Sequence, residues 1–454
     1  MRIKRVDATR GSLAGLIFAY SIPLFLTTLL QQLFNAVDIA VLGNMADSTA
    51  VAAVGATGPI TSLLVGIFVG FASATKIILA RYIGANDEQN IKRTMDVAVI
   101  LPLVIGAIMA VVGWFLSPYM LIWTGCPESC FSDAEIYLRL YVCSAPAILF
   151  YNFGSSVLTA SGDTQRPLYY MMACGVLNVV LNVVLCIVLP QKVMAVAIAT
   201  AASQVLGGLL VFNRWIRMDG VCRLSLSKIR WSTVGFVRVL HYGLPLMVSS
   251  MLYPISNLQI QSAINNISVS AIAGNSAAST IETLAASGIN SAFATTTTAF
   301  MGQNIGAKKQ DRVKKSFFYC LLFSLSITLI VSVSFYLAKD FFLSFILTND
   351  TEAYGFAYLR MQCVLLCYVI ASANGCLTHA IQAFGYPIYG TTVSIFSVFG
   401  FRVFWMQFIY PTLAPSFFHL VFCFTLSWSL LLVLNIGGFI YFYRRYLKGN
   451  YKRI

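Results

Sequence analysis

The sequence predicts an all-α integral membrane protein of twelve transmembrane helices arranged as two parallel six-helix repeats. Three observations carry that expectation. Apolar runs long enough to cross a bilayer recur from end to end, basic residues crowd into alternate loops, and the chain resembles itself at an offset of 222 residues.

Of the 454 residues, 58% are hydrophobic and only 10% are charged, against about 25% charged in an ordinary soluble domain. That balance cannot cover a water-exposed surface, so a large soluble helical protein is excluded. Runs of about 20 apolar residues, the length that crosses a bilayer as helix, place spans at 14–43, 50–81, 94–117, 136–159, 168–189, 193–213, 240–263, 273–303, 316–338, 354–382, 388–410 and 417–442. An even count puts both termini on one side.

The net charge of +14 raises the question of where the basic residues lie. Twenty-four of the 30 fall in one set of loops: Arg2, Lys4, Arg5 and Arg10; Arg81, Lys92 and Arg93; Arg166; the run from Arg214 to Arg238; Lys308 to Lys315; and Arg444 to Arg453. The opposite loops hold Lys192 and Lys339 alone. This asymmetry is the positive-inside signature of a multi-pass protein of the cell membrane, plasma or inner, with both termini cytoplasmic. Topology thus accounts for the charge, and no nucleic-acid partner is implied. The first 20 residues show no small-residue cleavage site behind a short apolar core, so the first span is expected to stay in the protein. Eleven cysteines are scattered mostly through the spans as small core hydrophobes. Cys126 and Cys130, in the outer loop TGCPESCFSDAE, are either a disulfide or a pair of free thiols. His241, His379 and His419 lack metal-ligand spacing, and no cofactor is expected.

At the offset of 222, YSIPLF (20–25) aligns with YGLPLM (242–247), and GIFVGFASATKIILARYIGA (66–85) with GINSAFATTTTAFMGQNIGA (288–307), identical in 8 of 20 columns. YLR recurs at 137–139 and 358–360. Two halves of six spans each enter the membrane in the same orientation, so the repeats are parallel. The expected division is an N-terminal lobe at 1–218, a cytoplasmic linker at 219–238 and a C-terminal lobe at 239–454. Transporters commonly place substrate between such halves.

These residues resemble a known family. SIPLFLTTLLQQLFNAVDIAVLG, the RYIGAND and QNIGAKK endings of spans 2 and 8, ASGDTQRP and QAFGYP after spans 4 and 10, and LNVVLN in span 5 are similar to multidrug and toxic compound extrusion (MATE) transporters, over nearly the whole chain. The resemblance implies a 6+6 two-lobed fold and cation-coupled export of small amphipathic, cationic organic compounds, by a protein that is not an enzyme and works as a monomer. It also implies that the family's N-lobe cation site falls on Asp38, Asn178, Asn182 and Thr200. Many members carry an aspartate where this chain has Asn182.

The residues support that placement on their own terms. At about 1.5 Å of rise per residue, Asp38, Asn182 and Thr200 lie roughly 8 to 10 Å below the outer face and Asn178 about 16 Å. Asn178 and Asn182 share a helix face at i and i+4, and Gln31, Asn35 and Asp38 follow i, i+4, i+7. Na⁺ wants oxygen ligands, which carboxylate, amide carbonyl and hydroxyl supply, whereas a proton needs the carboxylate alone. Apart from Na⁺, no metal is expected. In the second half Asn257 repeats Asn35, while Asp38 corresponds to Ile260. Glu282 and Arg402, at similar depth, are expected to pair, either as a structural clamp or as a substrate or proton site. Gln31, Asn35, Tyr253, Asn257 and Gln261 are expected to line the substrate pathway, where amides and an aromatic face suit organic cations. Pro23 and Pro245 are expected bend points. Two other readings stand beside the exporter. A flippase of lipid-linked oligosaccharides would need a cationic cavity, and spans 1 and 7 hold no arginine cluster. A lipid-modifying enzyme would need clustered acids or histidines at a membrane face, which the short loops lack.

Overall fold

In the computed structural model, residues 6–45, 48–225, 227, 229–347, 350–413 and 416–449 are described. Arg2, Lys4, Arg5, Lys228, Lys452 and Arg453 of the basic loops lie outside them. The chain is 88% helix, with no strand among the described residues. The first half contributes α1 (Leu13–Met45), α2 (Ser48–Ala85), α3 (Glu88–Trp123), α4 (Phe131–Cys143), α5 (Ala145–Ala160), α6 (Gln165–Val188) and α7 (Lys192–Ile216). The second contributes α8 (Thr233–Asn265), α9 (Val269–Glu282), α10 (Gly288–Gly306), α11 (Gln310–Leu337), α12 (Lys339–Ile346), α13 (Thr351–Arg360), α14 (Tyr368–Ala383), α15 (Pro387–Ser394), α16 (Phe401–Phe404) and α17 (Phe417–Leu447).

Among the described residues, ten helices are long and apolar enough to cross a membrane, or eleven if α4 and α5, bent by 47° around Ser144, form one span. Twelve were expected. The segment left over is α9 and α10, joined by a π-helical turn at Thr283–Ser287, and its helix is present but polar in sequence. Thr296, Thr297 and Thr298 of α10 are buried and return their hydroxyls to the backbone one turn back, to the carbonyls of Ala292 and Phe293 at 2.8 Å and of Ala294 at 3.4 Å. This back-bonding removes the cost of burying them.

The chain divides into two compact units, one of Met1–Val6 with Leu26–Met247 and one of Asp7–Phe25 with Val248–Ile454. This differs from the expected cuts at 218 and 239, because packing rather than loop position sets the boundary. Both α1 and α8 have 33 residues, about 50 Å of helix, and each contributes to both units. The change of unit falls just after Pro23 in α1 and just after Pro245 in α8. Proline removes one backbone donor and so marks where a long helix can bend.

The internal repeat is visible in backbone geometry. The two non-glycine residues with positive φ among the described residues are Asn86 (54°) and Lys308 (56°), 222 positions apart. Each ends a helix in the same way: the N–H of Asp87 reaches the carbonyl of Tyr82 and that of Lys309 reaches Asn304, both at 3.0 Å. The next turns repeat as well, with Gly162 (φ 86°) after α5 and Gly385 (φ 95°) after α14. In the second unit, basic side chains next to the first of these turns are used structurally. Lys309 donates to the carbonyl of Thr9, and Arg312 to those of Ala8 and Gly11.

Two glycines set the helix spacings on which the polar clusters depend. In the first unit, a Cβ added to Gly175 of α6 would lie 1.8 Å from the ring of Phe34, so α1 seats its aromatic ring in the gap. In the second, a Cβ on Gly274 of α9 would lie 2.2 Å from the carbonyl oxygen of Ala353 on α13. Small residues at such crossings let backbones approach where no hydrophobic effect drives helices together.

Candidate functional site

The four residues expected to bind a cation meet in the first unit. Phe34, packed over Gly175, fixes α1 against α6, so that Asp38 and Asn182, one and two turns further along, come opposite each other. The amide of Asn182 donates to Asp38 Oδ1 at 2.5 Å and to Asn178 Oδ1 at 3.3 Å, and Asn178 donates to Thr200 Oγ1 of α7 at 3.5 Å. One hydrogen-bonded chain therefore runs Thr200, Asn178, Asn182, Asp38. Asn178 and Asn182 are buried, while Asp38 and Thr200 are half-buried. Tyr137 of α4 lies within electrostatic reach of the Asp38 carboxylate.

Within this run of hydrogen bonds one buried atom is unsatisfied. Asn182 Oδ1 is buried and has no hydrogen-bond partner among the described residues. A buried acceptor without a donor costs about 1–3 kcal/mol, and the carboxylate beside it adds an uncompensated charge. Both defects have the same remedy, a positive charge or a proton. The oxygen-only donor set of carboxylate, amide carbonyls and hydroxyl fits a hard monovalent cation. Among the described residues, no group of three or more His, Cys, Asp or Glu side chains could hold a metal ion.

In the second unit the expected pairing of Glu282 is corrected. Its carboxylate is held by Arg360 of α13 in a two-pronged ion pair, Nε to Oε1 at 2.9 Å and Nη2 to Oε2 at 2.8 Å. Arg402 is not its partner. The close α9–α13 crossing at Gly274 carries Glu282, two turns on, up against Arg360, which is two turns on along α13. Arg402 donates to Ser427 Oγ at 3.1 Å and to Asn257 Oδ1 at 2.8 Å, and stacks 4.5 Å over the ring of Phe424. Arg360 lies 5.1 Å over the same ring.

The expected pathway residues of α8 are tied to this cluster. Gln261 donates to Asn265 at 2.8 Å and accepts from Asn275 at 2.8 Å, and Asn275 in turn accepts from Arg360 Nη1 at 2.6 Å. Asn257 and Tyr253 follow at one-turn intervals and are exposed, as are Gln31 and Asn35 on α1. Sequence reasoning missed Arg360 and Asn275. The signal was present in the YLR that marks the repeat, since an arginine just inside a span needs an acid nearby. Cys126 and Cys130 are free, with sulfurs 3.9 Å apart.

Ten or eleven helices long and apolar enough to cross a membrane among the described residues, with a repeat extending to the turns, describe a multi-pass membrane protein built from two related halves. The sequence profile of the MatE family matches residues 23–184 and again 245–405, once per half and in the register of the repeat, and the chain belongs to that family. It is therefore a multi-pass membrane transporter of the multidrug-efflux type. Over 400 residues it is 24% identical to the probable multidrug resistance protein YoeA of Bacillus subtilis, covering 85% of this chain and 84% of that one. It is 24% identical over 302 residues to a protein of Shewanella oneidensis named FAD transporter, covering 64% of this chain and 65% of the relative. Among solved structures, the fold matches that described as "Crystal structure of MATE in complex with MaL6" with a TM-score of 0.88 at 21% identity, over 98% of this chain and 99% of the other. An outward-facing multidrug resistance MATE transporter matches at 0.87 and 21% identity, over 99% of both chains.

Proposed function

We propose that the protein is a secondary active antiporter of the cell membrane, with both termini cytoplasmic, that works as a monomer. It exports small amphipathic organic compounds, organic cations among them, in exchange for Na⁺ or H⁺. Asp38 takes the coupling ion, with Asn178, Asn182 and Thr200 as oxygen partners. The observation that carries this reading is the pairing of two features in one place: a carboxylate with no cationic side chain beside it among the described residues, and the orphaned Asn182 Oδ1 next to it. An ion bound there neutralises the first and satisfies the second. Occupied and empty forms then differ strongly in free energy, and that difference is what an ion can use to shift a conformational equilibrium. Support for export comes from the family and from relatives such as the multidrug export protein MepA of Staphylococcus saprophyticus, 23% identical over 53% of each chain. The cytoplasmic termini rest on the asymmetry of basic loops.

The polar face of α1 supports a water-lined route. Gln31 and Asn35 are exposed one turn apart, and amides are poorly tolerated against lipid tails. Tyr253 of α8 offers an aromatic face to an amphipathic cation. The test is efflux of a fluorescent cationic dye from proteoliposomes under an imposed Na⁺ gradient and then an imposed proton gradient. Asp38→Asn keeps the shape, removes the charge and mimics the protonated carboxyl. It should insert and fold at least as well as wild type, retain dye binding and lose gradient-driven efflux. Coupled export by Asp38→Asn at a near-normal rate would return Asp38 to a structural role.

A further inference from the structure

The charges of the second unit do not balance. Arg360 and Arg402 stack on Phe424, at 5.1 and 4.5 Å. The one carboxylate of the cluster, Glu282, has both oxygens engaged by Arg360. Arg402 is 1% exposed, and its partners Ser427 and Asn257 are neutral. Among the described residues no carboxylate pairs with it. A buried guanidinium held only by neutral acceptors and a ring face is costly, and intramembrane charges left in that condition usually mark a ligand path.

The way in is also defined. The partner of Arg402 Nη1 is Asn257, an exposed residue, with exposed Tyr253 one turn before it on α8. Asn257 Oδ1 is thus a neutral oxygen standing where an oxyanion would bind better, because guanidinium prefers a charged, two-oxygen acceptor.

We infer that Arg402, reached past Asn257 and Tyr253, is a recognition site for an oxyanion group, a carboxylate or phosphate, of the transported amphiphile. This deepens the export reading and rests on it: the substrates include acidic and zwitterionic compounds, which the amides and aromatic ring of α8 alone do not select. The tyrosine ring takes the apolar body and the guanidinium takes the acidic end.

The test uses three probes with one fluorophore and different charge: dansylglycine (anionic), dansylamide (neutral) and dansylcadaverine (cationic). Each is titrated into purified full-length protein in detergent, with no gradient. Dansylglycine should bind at least tenfold more tightly than dansylamide. Arg402→Gln should remove that preference and leave dansylcadaverine unchanged or tighter. Because Arg402→Gln could impair folding, Asn257→Asp provides an independent arm at an exposed position. It supplies an internal carboxylate, so it should raise the apparent melting temperature and weaken dansylglycine at least tenfold.

Equal binding of dansylglycine and dansylamide by wild type, or unchanged dansylglycine binding in both variants, overturns the proposal. Added phosphatidylglycerol should displace dansylglycine no better than phosphatidylcholine does. Selective displacement would assign the site to a lipid headgroup and overturn its assignment to the transported compound. Binding without a gradient is independent of ion coupling, so a failure here and a failure of the antiport reading remain distinguishable.

Discussion

Replacing Glu282 by glutamine removes the only acid among the described residues that pairs with Arg360. The pair is buried, with side-chain exposures of 8% for Arg360 and 6% for Glu282, so solvent cannot take over the freed charge. Breaking a buried pair from one side costs about 3–5 kcal/mol, chiefly because a desolvated ion is left alone. Here the penalty is sharpened by Arg402, a second guanidinium on the same Phe424 ring. For a unit of this size, 1 kcal/mol shifts the melting point by about 2–4 °C, so Glu282→Gln should lower the apparent melting temperature in detergent on the order of 10 °C. The double variant Glu282→Leu with Arg360→Met removes both charges and should recover most of that loss. Recovery should be incomplete, because Asn275 Oδ1 loses the 2.6 Å donor it has in Arg360, at about 1–3 kcal/mol. The assay is thermal unfolding followed by thiol-reactive fluorescence on matched preparations. A single variant within about 2 °C of wild type, or a double variant no better than the single, would refute the ion-pair account.

Three further outcomes follow from named contacts. Asn182→Asp places a second carboxylate against Asp38, now 2.5 Å from the amide. Two such acids cannot both ionise freely, so the pH or Na⁺ dependence of efflux should shift, and unchanged ion dependence would place Asn182 outside the site. Gly274→Ala should lower the apparent melting temperature more than Gly175→Ala, since the new methyl meets a backbone carbonyl in the first case and a ring edge that can turn in the second; overpacking costs about 1–3 kcal/mol where nothing yields. Asp87, the N-cap of α3, accepts from the N–H of Asn90 at 3.1 Å and its amide at 2.7 Å, and these bonds hold its carboxyl below the usual 3.8. Its folded value is depressed, so its stabilisation is present above pH 3.8 and is lost as pH falls through the lower folded value. Asp87→Ala should therefore cost about 1 kcal/mol at neutral pH, with the difference from wild type closing in acid.

How much of this was legible depends on which coordinate a residue's position supplies. That Asp38, Asn178, Asn182 and Thr200 lie together could be read because depth and the family motif agreed, and the two asparagines also share a helix face. Glu282 and Arg402 had depth alone. Depth leaves the direction around the helix axis and the neighbouring helix undetermined, and here the α9–α13 crossing at Gly274 decided both in favour of Arg360. The span at 273–303 was legible despite its polar composition, and the folded helix shows why it can be polar: Thr296, Thr297 and Thr298 return their hydroxyls to its own carbonyls. The domain cut was placed in the longest basic loop, a sound guess for a linker, but membership of a compact unit follows packing. The prolines of α1 and α8 marked the change more closely than the loop did.

The repeat also shows which charges recur in both halves. Arg360 has a counterpart in Arg139, which is likewise neutralised, by Glu135 at 2.7 Å. Asn257 has a counterpart in Asn35. Asp38 has none: its equivalent is Ile260, buried in the second unit. Asp38 and Arg402 both lie without an ion pair among the described residues, one negative in the first unit and one positive in the second. For Asp38, a chain selected for stability alone had an apolar solution already present in its other half, since the buried Ile260 needs no polar partner. Retaining a bare carboxylate in one half and a bare guanidinium in the other makes physical sense if each is neutralised in turn by something that arrives and leaves. On that reading the coupling ion belongs to the first half and the acidic end of the substrate to the second.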